Sequence, residues 1–147
     1  MDGYDTQQWI GEQSWCDGRI GMSGASYLGM VQWMSAPHAS PSLTCLAPRV
    51  SCTELLRGLV RPGGALQLTT ALTWGMQTNA RTLQSIDFHN WTEAFRTLPI
   101  RDLDLAAGRR LDFWQDWLEH ACYDEIWEAF SDAHRWAEVR EPAFNEG

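Results

Sequence analysis

Lysine is missing from the chain. All eleven basic residues are arginine, set against nineteen acidic ones, for a net charge of −8 and a pI near 4.8. No basic run occurs, which argues against nucleic acid or an anionic membrane as a partner. No stretch of about 18 uninterrupted apolar residues occurs either, so no membrane span is expected. The opening MDGYDTQQW has neither a basic n-region nor an apolar h-region, and a cytoplasmic setting is the expectation. Cysteine is scarce and unpatterned: Cys16, Cys45, Cys52 and Cys122 make no C-x-x-C, which excludes a disulfide-stapled scaffold and leaves four thiols expected to be reduced and mostly buried. The histidines, His38, His89, His120 and His134, form no H-E-x-x-H or other zinc spacing, so no metal is expected. Repeats and low-complexity tracts are absent.

What is there suffices for one globular domain or a piece of one: 147 residues, 44% of them hydrophobic, which excludes disorder. The outlier is tryptophan, nine in all and six of them at or after Trp74, and it divides the chain into two unlike parts.

The first part reads as α/β. Residues 2–13 carry acidic residues early and no proline, as a helix start requires. After the Asp17-Gly18 turn, Arg19 to Ser23 is a short apolar run, and Leu43 to Ala47 is another, bounded by Pro41 and Pro48. Both are expected to be buried strands. Between them Tyr27 to Ala36 has only Gln32 and Ser35 as clearly polar members and stops at Pro37, which predicts a buried helix. Strand, helix, strand at this spacing is a βαβ unit with parallel strands. Beyond Pro48 the pattern turns helical. Leu68, Ala71, Leu72 and Gly75 share a face in 64–80, and Phe88, Trp91 and Phe95 share another in 87–97. Leu111, Trp114 and Leu118 mark a third helix, and Tyr123, Ile126, Trp127 and Phe130 a fourth. Gly63-Gly64 and residues 98–108 read as connectors.

Chemistry concentrates at Gly24-Ala25-Ser26-Tyr27-Leu28-Gly29, where predicted strand meets predicted helix. A serine on a tight strand-to-helix turn holds its hydroxyl clear of the sheet, and the first N–H groups of the following helix lack intrahelical partners and can bind an oxyanion. Small neighbours relieve the crowding of such a turn. The pattern is G-x-S-x-x-G, with Leu28 where a second glycine is usual; roughly 0.06 chance matches are expected in a chain of this composition, so context must decide. A serine capping a buried helix, or a glycine-rich turn binding something else, fits the same spacing. Ser23 competes as nucleophile but sits inside the strand. The acidic side chains Asp102, Asp104, Asp112 and Asp116 read as solvated, and no pairing suggests glycosidase chemistry.

Trp15-Cys16-Asp17-Gly18-Arg19-Ile20-Gly21-Met22, followed by Gly24-x-Ser26-Tyr27-x-Gly29 and Gln32-Trp33, resembles the CocE/NonD group of serine hydrolases, the cocaine esterase and X-Pro dipeptidyl-peptidase-like α/β-hydrolases. The resemblance continues through Ala47-Pro48, Pro62-Gly63-Gly64-Ala65, Leu103-x-Leu105, Phe113-Trp114-x-Asp116-Trp117-Leu118-x-His120 and Tyr123-Asp124-Glu125. It implies that Ser26 is the acylated nucleophile, that the Tyr27 N–H is an oxyanion donor, and that Trp74 faces the acyl pocket. A core tryptophan between helices remains an equal reading of Trp74. It further implies a fragment. In that family the histidine base and its carboxylate partner follow the cap, and a tyrosine hydroxyl that completes the oxyanion hole precedes the nucleophile strand. The fold class expected is therefore α/β, a partial α/β-hydrolase core over 1–50, a mostly helical cap over 51–138 and the start of a return to the core over 139–147. The expected function is hydrolysis of a small ester or amide, including X-Pro peptides, through an acyl-enzyme, with the chain inactive alone. A non-catalytic, Trp-rich helical binding module with Ser26 as a structural turn residue is the alternative.

Overall fold

A computed structural model describes residues 2–87 and 89–147. They fall into two compact units: residues 1–58 with 125–147, and residues 59–124.

The first unit is built on the βαβ unit. Helix α1 (Asp2–Gly11) opens with Asp2 and Asp5 in its first turn, where carboxylates offset the macrodipole. Strand β1 (Ile20–Ala25), helix α2 (Tyr27–Ser35) and strand β2 (Leu43–Arg49) follow, and β1 pairs parallel with β2, from Ile20 opposite Leu43 to Ala25 opposite Arg49. Helix α2 gives way to a single 3-10 turn, Ala36–His38, at Pro37, whose ring cannot continue the ladder. The core under the sheet is Ala36, Leu43 and Leu46 with Ile20, Met22, Trp33 and Val139 against it. Buried Gln7 ties α1 in: its Oε1 accepts from the Ser40 N–H at 3.0 Å. The far edge of β2 is occupied by the last residues of the chain, through Leu46 N–H to Pro142 O at 3.0 Å, Phe144 N–H to Leu46 O at 2.9 Å and Val50 N–H to Glu146 O at 2.8 Å. The 3-10 stretch Ala133–Glu138 is stapled to the end of α2 by Arg135, which reaches Pro37 O at 3.4 Å, the His38 ring nitrogens at 2.6 and 2.7 Å and Glu138 at 2.6 Å.

The second unit is helical. Helix α3 (Leu68–Thr78) buries Ala71, Leu72, Gly75 and Met76; a Cβ on Gly75 would stand 2.8 Å from Leu111 and 2.9 Å from Phe113, so the helix packs through its glycine. Around it lie one-turn α4 (Trp91–Ala94) and α5 (Leu103–Ala106) and the longer α6 (Trp114–Glu119), with fully buried Trp114 donating its indole N–H to Ile100 O at 3.2 Å. A further turn, α7 (Glu125–Glu128), belongs to the first unit and buries Trp127.

Several expectations are corrected. The strands are not buried on both faces: β1 alternates half-buried and exposed residues up to buried Gly24, because a strand covered on one face shows the two-residue period of its pleat. The cysteines are free but not buried: Cys45 and Cys122 are exposed and Cys16 and Cys52 intermediate. Helix 87–97 shrinks to α4, where Trp91 stacks on Phe95 at 5.7 Å; Phe88 lies outside the described residues. The fourth helix is a single turn and Phe130, placed on its buried face, is 47% exposed. Residues 98–108 are no connector, since they form a 3-10 turn (Ile100–Asp102) and α5 around buried Leu103. Asp104, read as solvated, is fully buried and accepts from Leu105 N–H at 2.8 Å and Leu111 N–H at 3.0 Å. A carboxylate that receives backbone donors this way keeps the following loop closed, which composition cannot reveal.

Candidate active site

At the carboxyl end of β1 the backbone turns into α2 through one residue. Ser26 stands at φ 56, ψ −124, a region that side-chain-bearing residues rarely occupy. Its N–H donates to Arg49 O at 2.9 Å, and its carbonyl accepts from Gly29 and Met30 N–H at 2.9 and 3.0 Å, so the turn is bonded on both sides. The Ser26 side is exposed. The amides of Tyr27 and Leu28 come too early in α2 for an intrahelical acceptor. The Ser26 hydroxyl and the Tyr27 amide thus belong to adjacent residues of one turn, an arrangement that acyl transfer can use.

The glycines of the pattern have steric reasons. A Cβ on Gly24 would come 2.5 Å from Leu28 Cβ, and one on Gly29 would come 2.5 Å from Ser51 Cβ. The glycine displaced by one place thus serves contact with the loop after β2, while Leu28, where a glycine is usual, is 61% exposed and meets no such limit. Ser23, the competing hydroxyl, lies within β1. The Tyr27 side chain lies along α2, lining a cavity of about 380 Å³ with Val31, Met34, Ser35, His38 and Asp132.

His38 follows the far end of this nine-residue helix, about 15 Å or more along the axis from Ser26, and so cannot serve as its base. It is engaged instead by Arg135 and, at 3.4 Å, by Asp132. His134 lies 4.0 Å from Glu128, and His89 packs on Trp91 at 5.1 Å. His120 closes α6 and bonds Asp124 at 2.6 Å; that hydrogen bond, helped by the charges of Asp124, Asp116 and Glu119, holds its pKa above the usual 6.5. Among the described residues no His, Cys, Asp or Glu cluster could hold a metal ion, and no helix is long and apolar enough to cross a membrane. Trp74 lies in the second unit on α3, half-buried and stacked on Trp117 at 6.2 Å with planes 10° apart.

The roles of two residues beside this turn were not legible in the sequence. Gln32 is 1% exposed, with Nε2 donating to Leu28 O at 2.9 Å and Gly24 O at 3.4 Å and Oε1 accepting from Ala47 N–H at 3.0 Å. A lone amide in an apolar helix was the available signal, since buried polar groups are bonded. Val50 is the other left-handed residue besides glycine among the described residues, at φ 41. It immediately follows Arg49, whose carbonyl receives the Ser26 N–H. Nothing in the sequence marks it.

A parallel βαβ unit with a strained serine at the strand-to-helix turn defines a partial α/β fold. Solved structures agree on the fold: an aminopeptidase from a marine sediment Thaumarchaeota archaeon (TM-score 0.75, 21% identity, 98% of this chain and 25% of that one) and an α-amino acid ester hydrolase (TM-score 0.74, 24% identity, 97% and 25%). Over residues 1–147 the chain matches the X-Pro dipeptidyl-peptidase (S15) family, and it belongs to that family. It is 32% identical to the cocaine esterase of Rhodococcus sp. (strain MB1 Bresler) across 97% of its own length, and spans 28% of that relative. The chain thus covers about a quarter of the length of these proteins.

Proposed function

We propose that this chain carries the nucleophile of a serine hydrolase that cleaves a small ester or amide, of the acyl esterase or X-Pro dipeptidyl-peptidase type. The observation that carries the reading is the left-handed backbone of Ser26 between Gly24 and Gly29. Ser26 Oγ attacks the substrate carbonyl carbon while its proton passes to a histidine base. The tetrahedral oxyanion is held by the Tyr27 N–H, a kind of donor whose loss typically costs about 100- to 1000-fold in rate. Collapse expels the alcohol or amine, which takes up the proton, and water then hydrolyses the acyl-serine. The base and its carboxylate partner come from residues outside this chain, as do the remaining oxyanion donor and part of the pocket wall. In this reading 1–50 is hydrolase core, 51–138 a helical cap, 139–147 the return to the core, and Trp74 a substrate-binding residue. The reaction calls for no cofactor, and the 147 residues alone are inactive.

Membership of the S15 family supports the hydrolase class, and the elbow supports the serine mechanism. A fluorophosphonate probe should label the full-length polypeptide at Ser26, located by mass spectrometry, and Ser26→Ala should abolish labelling. An adduct on Ser23, or labelling that survives Ser26→Ala, would overturn the assignment.

A further inference from the structure

We infer that Gln32 is a positioning residue that holds the Ser26 elbow in its left-handed conformation, so that nucleophile reactivity depends on a side chain remote from the reacting atoms. The inference rests on the serine-nucleophile reading above.

The two arms of the elbow are β1, ending in Gly24 and Ala25, and the first turn of α2, beginning at Tyr27. Gln32 bonds both. Its Nε2 donates to the carbonyl of Gly24, two residues before Ser26, and to that of Leu28, two residues after it. Its Oε1 accepts from Ala47 N–H of β2, the strand whose Arg49 carbonyl receives the Ser26 N–H. One buried amide thus fixes strand, helix and neighbouring strand to each other through backbone atoms.

Strained backbone persists only where surrounding contacts over-determine it. The elbow arms are pressed together, since Gly24 has no room for even a Cβ against Leu28. Free to move, they would separate and let Ser26 relax to an ordinary φ, turning the Tyr27 amide away from the oxyanion position. The Gln32 amide prevents that separation, because Gly24 O and Leu28 O are bonded to the same nitrogen. Its burial, at 1% exposure, excludes water that could replace these bonds.

Two variants of the full-length polypeptide test this. Gln32→Met keeps the volume and removes all three bonds. Gln32→Glu keeps the acceptor for Ala47 N–H but, when ionised, sets a carboxylate oxygen against two carbonyls; protonated, it regains one donor. The readouts are the rate of Ser26 phosphonylation, kcat and KM for an activated ester, and hydrogen exchange of the 24–30 backbone. Gln32→Met should slow phosphonylation and kcat by about 10- to 100-fold with KM within about twofold, and speed exchange at 24–30 more than elsewhere. The Gln32→Glu rate, divided by that of the unmodified protein at the same pH, should rise as pH falls and the buried carboxyl takes up its proton. A purely packing role would not produce that rise. Unchanged phosphonylation and unchanged 24–30 exchange in Gln32→Met would overturn the inference, as would a flat pH ratio in Gln32→Glu. If the unmodified protein is not labelled at Ser26, the hydrolase reading falls; the exchange data then still judge whether Gln32 holds the turn.

Discussion

Val50 is a β-branched residue at φ 41 and 70% exposed, so it bears backbone strain without gaining burial. The conformation is imposed from both sides: Val50 N–H is committed to Glu146 O, and Ser51 must reach back to lie against Gly29. A left-handed conformation costs a side-chain-bearing residue roughly 1–2 kcal/mol. Val50→Gly in the full-length polypeptide should therefore raise stability by about 1 kcal/mol after glycine's larger unfolded-state entropy is deducted. A shift of the urea midpoint upward with unchanged slope is the expected result, and a lower midpoint would show that the valine side chain contributes a contact of its own. Ser26 also has a positive φ, and if it is the proposed nucleophile, relieving that strain should cost labelling at Ser26.

At the scale of elements, α6 ends on His120, the helix terminus where a cation is favoured by the macrodipole. Its bond to Asp124 stabilises the protonated imidazole and raises the folded-state pKa above 6.5. The sign follows: the pairing contributes fully below pH 6.5 and is lost as pH rises through the raised folded value. An NMR titration of the His120 ring should give a midpoint above 6.5 that falls toward 6.5 in Asp124→Asn; the same midpoint in both proteins would remove Asp124 as the cause. Glu138 runs opposite, its pKa lowered first by the hydrogen bond from Arg135, so the Arg135 staple weakens as pH falls into the carboxylate range. Helices recognised by long apolar stripes, α2 and α3, came out close to expectation. The four-residue turns α4, α5 and α7 did not, because a single turn is too short to show a period of its own; α5 is closed instead by Asp104, which accepts from Leu105 and Leu111 N–H.

At the scale of the whole molecule, β2 has partners on both edges, whereas among the described residues the outer edge of β1 carries no strand. Trp9, Trp15, Leu28 and Val50 are each more than half exposed. Open strand edges and clustered apolar surface favour association. The 147 residues expressed alone should elute early or heterogeneously on size exclusion, bind ANS, and give weak near-UV dichroism despite a helical far-UV spectrum. A sharp monomer peak with cooperative unfolding would show that two strands and these helices suffice. The sequence by itself determined the βαβ unit, its parallel pairing and the serine at the turn, because a two-residue or helical period and a proline or glycine stop are local properties of the chain. Only tertiary structure decided that Gln32 bonds three backbone segments at once, that Asp104 is buried, that Val50 is strained, and that residues 142–146 lie along β2. Gln32 needs Ala47, Val50 needs Glu146 and residues 142–146 need β2, partners distant in sequence, while Asp104 is buried by a loop whose closure no periodicity encodes.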